Sequence, residues 1–320
     1  MTIINKILLF CFINMIALPC YGQGDGPRAH LFAPKGVWAI NPKYLHLNQN
    51  VLPAGNILVQ DLDITVDVFP ITLVHSFGIK GRLARVYAMM NPGSFTAKAN
   101  ILENNLSNEV HASGFSDGFL AFEIGLIGAP AIDALQFSKQ DPQFSLMGYF
   151  RYWYSGTYDS DKILNLGTNR STFELAVPMA IPFHKSMNQH ATWLEIFPSI
   201  QLYMDNNDPA RGSFTEKVEQ DPMLIIESHL THNFTKKLWV GADLRFQYGG
   251  TTYADGKSDE NLISALGGGI NIGYQFLAPL SGYVGYGKVL TGQNNISADM
   301  LRFSLVFAYI NLKKLNLTSN

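Results

Sequence analysis

The chain has 320 residues, a formal net charge of −2 and no charge-rich tail. That balance excludes the basic face a nucleic-acid binder needs, so no nucleic-acid partner is expected. Charged residues make up 15% and apolar ones 47%, yet no apolar run reaches the roughly 18 residues of a spanning helix. A greasy chain rich in Gly, Tyr and Phe without such helices points to an all-β barrel.

Residues 1–22 read as a secretory signal peptide. Lys6 gives a positive start, 7–18 is a compact apolar stretch broken by Asn14, and Cys20-Tyr21-Gly22 places the cleavage after Gly22. The run is short for a membrane anchor, and Pro19 fits a lipoprotein signal poorly. Both cysteines, Cys11 and Cys20, lie in this segment. The processed chain then has none, which excludes disulfides and cysteine-based metal or redox chemistry.

Residues 23–35 hold Gly and Pro without a period and read as a periplasmic leader into a first strand near 36–48. Leu58 to Phe77 reads as one long strand kinked at Pro70, in which Asp61, Asp63 and Asp67 share a face. Gly78 to Gly81 is a tight turn, and Arg82 to Met90 is the next strand. Asn91-Pro92-Gly93 has turn chemistry, and a long polar loop is expected from there to Ser116. Phe119 to Leu126 alternates again. A connection with a short helical turn around 131–137 leads to a strand near 144–154, and 155–170 is loop.

The clearest stretch comes next. Phe173, Leu175, Val177, Met179, Ile181 and Phe183 are apolar and two residues apart, with Glu174 and small residues between them. A period of two is a strand with one greasy face. A run of about twelve residues matches the 9–11 needed by a tilted transmembrane strand. Further strands are read at 194–205, 223–232, 238–248, 265–276, 282–290 and 301–309. The run Gly267-Gly268-Gly269 falls inside one of them, where it eases sheet curvature rather than cradling a nucleotide.

Two regularities set the class. In most strands the charges avoid the greasy face, and connections alternate long and short, as in outer-membrane barrels. Both ends of such a barrel sit in the periplasm, so the strand number is even. The expected fold is a transmembrane antiparallel up-and-down β-barrel of twelve strands over 36–310, with a short tail at 311–320, in the bacterial outer membrane with its lipid as partner.

From Phe69 onwards the order of features resembles the outer-membrane family named for the MetA pathway of phenol degradation. The stretches that carry this are FGIKGRLARVYAMMNPGS, SGFSDGFLAFEIGLIGAPAI, LGTNRSTFEL, MDNNDPARGSFTEKVEQDPMLIIESHL and WVGADLRFQYGGTTYADG. The resemblance covers about residues 36–310. It implies a secreted outer-membrane barrel linked to the passage of aromatic or other apolar small molecules.

The polar set expected inside comprises Asp61, Asp63, Asp67, Glu123, Arg151, Glu174, Glu195, Glu227, His229, Asp243, Arg245 and Arg302. A mixed ring of this kind either forms a charge-sorting constriction or pairs off and fills a narrow lumen. Tyr149, Trp153, Trp193 and Trp239 either offer stacking faces to an apolar solute or form the interfacial girdle. No catalytic, metal or cofactor site is expected. His229 and His232 point to opposite faces and cannot chelate one metal, and neither a G-x-S-x-G elbow nor a Ser–His pair on neighbouring strands is visible. Three functions stay open: an uptake channel for small apolar or aromatic solutes, a closed-lumen structural or surface barrel, and, least supported, a barrel lipid hydrolase.

Overall fold

Twelve strands pair antiparallel in chain order and the last pairs with the first, closing the barrel. They are β1 (Val37–Gln49), β2 (62–79), β3 (Arg82–Asn100), β4 (Ser107–Ile127), β5 (Ser145–Tyr154), β6 (172–182), β7 (Thr192–Tyr203), β8 (Met223–Asn233), β9 (Leu238–Gly249), β10 (Ile263–Leu277), β11 (Leu280–Gly292) and β12 (Ala298–Ile310). A short helix, α1 (Ala134–Phe137), sits in the β4–β5 connection. Closure runs from Val37 opposite Ile310 to Gln49 opposite Ala298. The computed structural model describes residues 25–52, 57–58, 62–100, 107–162, 165–183, 191–210 and 213–310. The expected signal peptide, Asp61 and the tail lie outside these.

Strands β2 and β6 are each one barrel strand in two arms. In β2 the arms Leu62–Val68 and Ile71–Ile79 meet at Phe69-Pro70. In β6 the arms Thr172–Ala176 and Met179–Pro182 meet at Val177-Pro178. Proline has no N–H to give the ladder. Its carbonyl still serves: Pro70 O accepts from Lys43 N at 2.8 Å and Pro178 O from Met147 N at 2.9 Å.

Alternation sorts each strand into two walls. Leu120, Phe150, Leu175, Leu230, Leu244, Ile270 and Phe307 are exposed on the outer wall, as a barrel facing hydrocarbon requires. Glu123, Arg151, Glu174, Glu195, Asp243 and Arg302 are buried on the inner one. Rings of Tyr44, Phe69 and Phe303 stand together outside, with Tyr44 5.1 Å from Phe69 and 6.1 Å from Phe303. They mark the upper border of the belt, taking the end where β1 begins and β12 ends, Val37 opposite Ile310, as the lower one.

The expected loop 91–116 is a correction. The structure carries β3 and β4 on as a ladder, from Asn91 opposite Ser116 to Asn100 opposite Ser107, beyond a bulge next to Met89. Here Phe95 and Ala97 are buried while Ser94 is exposed. Above the belt the outer wall meets polar surroundings, so polar residues turn outward and the pattern no longer looks like a membrane strand.

Candidate functional site: a lumen narrowed at both ends

Residues 25–35, the described part of the leader expected outside the barrel, run inside it. The segment enters beside β2, where Gly36 N donates to Ser76 O at 2.7 Å and Ser76 Oγ to Pro34 O at 2.7 Å. Phe32 packs on Leu83, Ala129 and Met147, and Leu31 on Ala180, Ala191 and Trp193. His30 stacks on Phe197 at 4.7 Å and meets Tyr149 edge-on. The Arg28 guanidinium lies 4.3 Å from the Trp239 ring centroid. Gly26 has φ +90, and a Cβ there would collide with Tyr283 and Arg302. Only glycine suits both the backbone and the space.

Charge fastens this plug to the wall. Glu195 accepts from the backbone N–H of Arg28 at 2.6 Å and of His30 at 3.1 Å. His30 Nδ1 lies 3.2 Å from Glu123 and its Nε2 3.2 Å from Asp25. Glu123 is also 2.8 Å from Arg85 Nε and accepts from Tyr87. Arg151 gives Nη2 to Asp25, Nη1 to Glu174 at 3.1 Å and Nε to Tyr149 at 2.7 Å. Lys43 donates to the Asp25 carbonyl at 2.9 Å. Burial opposes the charge on His30, but Glu123 and Asp25 outweigh it and hold its pKa up at about 9. Burial also favours a neutral Asp25, yet Arg151, His30 and Lys43 keep its carboxyl well below the usual range.

A second ionic group stands on β8 to β10. Glu227 pairs with Arg245, His229 Nδ1 lies 2.8 Å from Asp243, and Asn271 donates to Asp243 at 2.6 Å. Arg302 donates to the Tyr283 hydroxyl at 3.3 Å.

The upper end is narrowed differently. The β5–β6 loop folds in and buries Leu166 among Leu47, Ile64, Val66, Val68, Phe95, Ala97 and Met300. Asp117 anchors that loop, accepting from Gly156 N at 2.9 Å, Thr168 N at 3.0 Å and Thr168 Oγ1 at 2.7 Å. A side chain at Gly156 would strike the Phe115 and Ser116 backbone.

Between the closures lies a cavity of about 200 Å³. Leu45, Leu47, Val66, Val68, Phe119, Trp153, Phe197 and Ile225 line it, and Asp25, Lys43, Asp117, Arg151, Glu174, Glu227 and Arg245 are its charged groups.

Most of the expected inward set is where the alternation puts it. Glu123, Arg151, Glu174, Glu195, Glu227, His229, Asp243, Arg245 and Arg302 all face the lumen, paired rather than as one free ring. Asp63 and Asp67 are corrections. Ile64, Val66 and Val68 point inward, and the aspartates stand on the outer wall. There Asp67 accepts from Tyr44 at 2.6 Å and lies 2.9 Å from His46. The reason is height: this arm of β2 rises above the Tyr44–Phe69–Phe303 border. The four aromatics are all inward, and the girdle is made by other rings. Trp153 alone of them lines the cavity, while Tyr149, Trp193 and Trp239 pack on the plug.

Sequence reading missed Asp25, Arg28, His30, Lys43, Arg85 and Asp117. Arg85 carried a signal, being a charge between Leu83, Tyr87 and Met89 on one strand face, and Lys43 a weaker one, being the one charge on its face of β1. The plug carried none, because its partners are as remote as Glu195. Hydroxyl–histidine pairs do occur on the outer wall: Thr96 Oγ1 to His111 Nδ1 at 2.9 Å and Thr192 Oγ1 to His232 Nδ1 at 2.7 Å. Each hydroxyl takes the nitrogen that a triad gives to its orienting carboxylate, so both read as cross-strand fastenings. Among the described residues no cluster of three metal-ligating side chains occurs.

Closed antiparallel strands, an apolar outer belt and a charged interior define an outer-membrane β-barrel. Residues 47–305 match the family described as "Putative MetA-pathway of phenol degradation", and the chain belongs to that family. Its fold is similar to the crystal structure of an outer membrane channel from Pseudomonas putida F1, at 17% identity and TM-score 0.71 over 89% of this chain and 99% of that one. The β domain of the Bordetella autotransporter BrkA aligns at 10% identity and TM-score 0.49 over 87% of this chain and 100% of that one. No curated protein matches the sequence.

Proposed function

We propose that the barrel admits small apolar and aromatic solutes to the central cavity and passes them across the outer membrane when the closures yield. The observation that carries this reading is the cavity itself. Much of its wall is aliphatic and aromatic, including Trp153 and Phe119, whose rings meet edge-to-face at 5.0 Å. An apolar cavity of about 150 Å³ is large enough to take benzene, so about 200 Å³ suits a single substituted ring. The family description, which names phenol degradation, agrees with that size and lining.

The plug favours a second reading, a barrel whose lumen stays shut and whose role is structural. Proteoliposome uptake of labelled phenol separates the two. Uptake that saturates and exceeds that of protein-free vesicles supports passage. Uptake equal to empty vesicles, by protein that binds no phenol, leaves the structural reading.

A further inference from the structure

The charges of the cavity are already answered by the protein. Arg151 pairs with Asp25 and Glu174, and Arg245 with Glu227. Asp117 accepts three hydrogen bonds from the β5–β6 loop, and Lys43 donates to the Asp25 carbonyl. A charged solute would have to break one of these contacts or stay unpaired in a site shielded from water, and both are costly.

The groups left open are neutral. One row of the inner wall crosses five strands, because Thr72, Met89, Phe119, Trp153 and Thr172 are successive cross-strand partners from β2 to β6. Met89, Phe119 and Trp153 pack together as an apolar shelf. One step higher in the β3–β4 ladder, beyond the bulge next to Met89, Asn91 stands opposite Ser116. All of these residues line the cavity. Among the described residues the Asn91 carboxamide and the Thr72, Ser116 and Thr172 hydroxyls make no hydrogen bond, and Asn91 Oδ1 is buried without a partner.

Resting on the passage reading above, we infer that the cavity selects neutral single-ring aromatics that carry a hydroxyl, with the ring on the Met89–Phe119–Trp153 shelf and the hydroxyl between Asn91 and Ser116. Residues opposite each other in such a ladder stand about 5 Å apart at Cβ. A hydroxyl lying between these two donates to one and accepts from the other. The terminal torsion of asparagine is broad, so either end of its amide can turn to meet the solute. Two residues along a strand cover about 7 Å, a gap that a ring on the shelf bridges through its hydroxyl and one hydrogen bond. Aromatic and thioether side chains suit the ring itself.

The test is calorimetric binding to the full processed protein in detergent, with phenol, toluene and benzoate as probes. Phenol and toluene are nearly equal in size, so the ratio of their affinities isolates the hydroxyl, and partition into detergent cancels when a variant is compared with the wild type. Asn91→Leu should lower the phenol to toluene ratio about fivefold, the worth of one neutral hydrogen bond. Ser116→Ala should lower it about twofold on the same scale. Thr172→Val, which removes an open hydroxyl at the end of the row, should leave it unchanged. Benzoate should bind the wild type more weakly than phenol. Retained heat-modifiable migration on a gel shows that each variant is folded. A wild-type ratio in either folded variant of the Asn91–Ser116 pair, a ratio that falls equally in Thr172→Val, or benzoate binding more tightly than phenol overturns the assignment while leaving passage of aromatic solutes intact. Failure of phenol and toluene alike to bind the wild type overturns both readings.

Discussion

The two closures of the lumen are built from opposite chemistry. The lower one is a segment of chain held by buried ion pairs of Asp25 with Arg151 and of His30 with Glu123, and by the Arg28 and His30 backbone N–H groups donating to Glu195. The upper one is a loop held by apolar packing around Leu166. Ion pairs inside a low-dielectric lumen resist loss of a single partner, because the other charge is stranded. Apolar packing weakens in proportion to the area removed and accepts an apolar visitor without such a penalty. The upper closure therefore yields to a greasy solute, and the lower one to a change in charge.

Ways to break this contrast follow in order of size. Arg151→Ala strands Asp25 and Glu174 together and should cost about 3–5 kcal/mol, seen as a lowered temperature for loss of the folded gel band and as raised conductance. Leu166→Ala removes a buried side chain from the upper cluster, for about 2–5 kcal/mol at the outside. Part of that is lost to loop relaxation, and phenol uptake should rise more than ion conductance. Alkaline pH acts on the lower closure alone. His30 has its pKa raised from 6.5 to about 9 by partners it meets in the inserted plug. Its contribution is complete below about pH 6.5 and vanishes as pH climbs through about 9. Conductance in planar bilayers should therefore rise between pH 7 and 10, and His30→Phe should flatten that rise. The smallest effect belongs to Asp67→Asn on the outer wall, where a half-exposed pair with His46 is worth at most about 1 kcal/mol. Conductance should not change.

How much of this was legible depended on where a residue's surroundings were set. In β6 the surroundings come from lipid, and Phe173 to Phe183 announces them by spacing alone. The same rule gives Glu123, Arg151, Glu195 and Asp243 their inward direction. It failed at Asp63 and Asp67 because alternation reports two faces but not which solvent each one meets, and the outer solvent changes above the aromatic border. It failed again at Ser94 to Ala97, where that change made a strand look like a loop. The plug left no pattern. It has no period, and what orders it is a set of single contacts with residues as far as 205 positions away.

The position of residues 25–35 inside the barrel carries the account. Leu31 packs against the cluster of Ala180, Ala191 and Trp193, so Leu31→Cys with Ala191→Cys, in a chain whose Cys11 and Cys20 are replaced, should form a disulfide in the folded protein. Oxidation should then lower conductance at pH 10 to its value at pH 7, and reductant should restore it. A pair that fails to cross-link in the folded barrel, or one whose locking leaves the high-pH conductance unchanged, would contradict it.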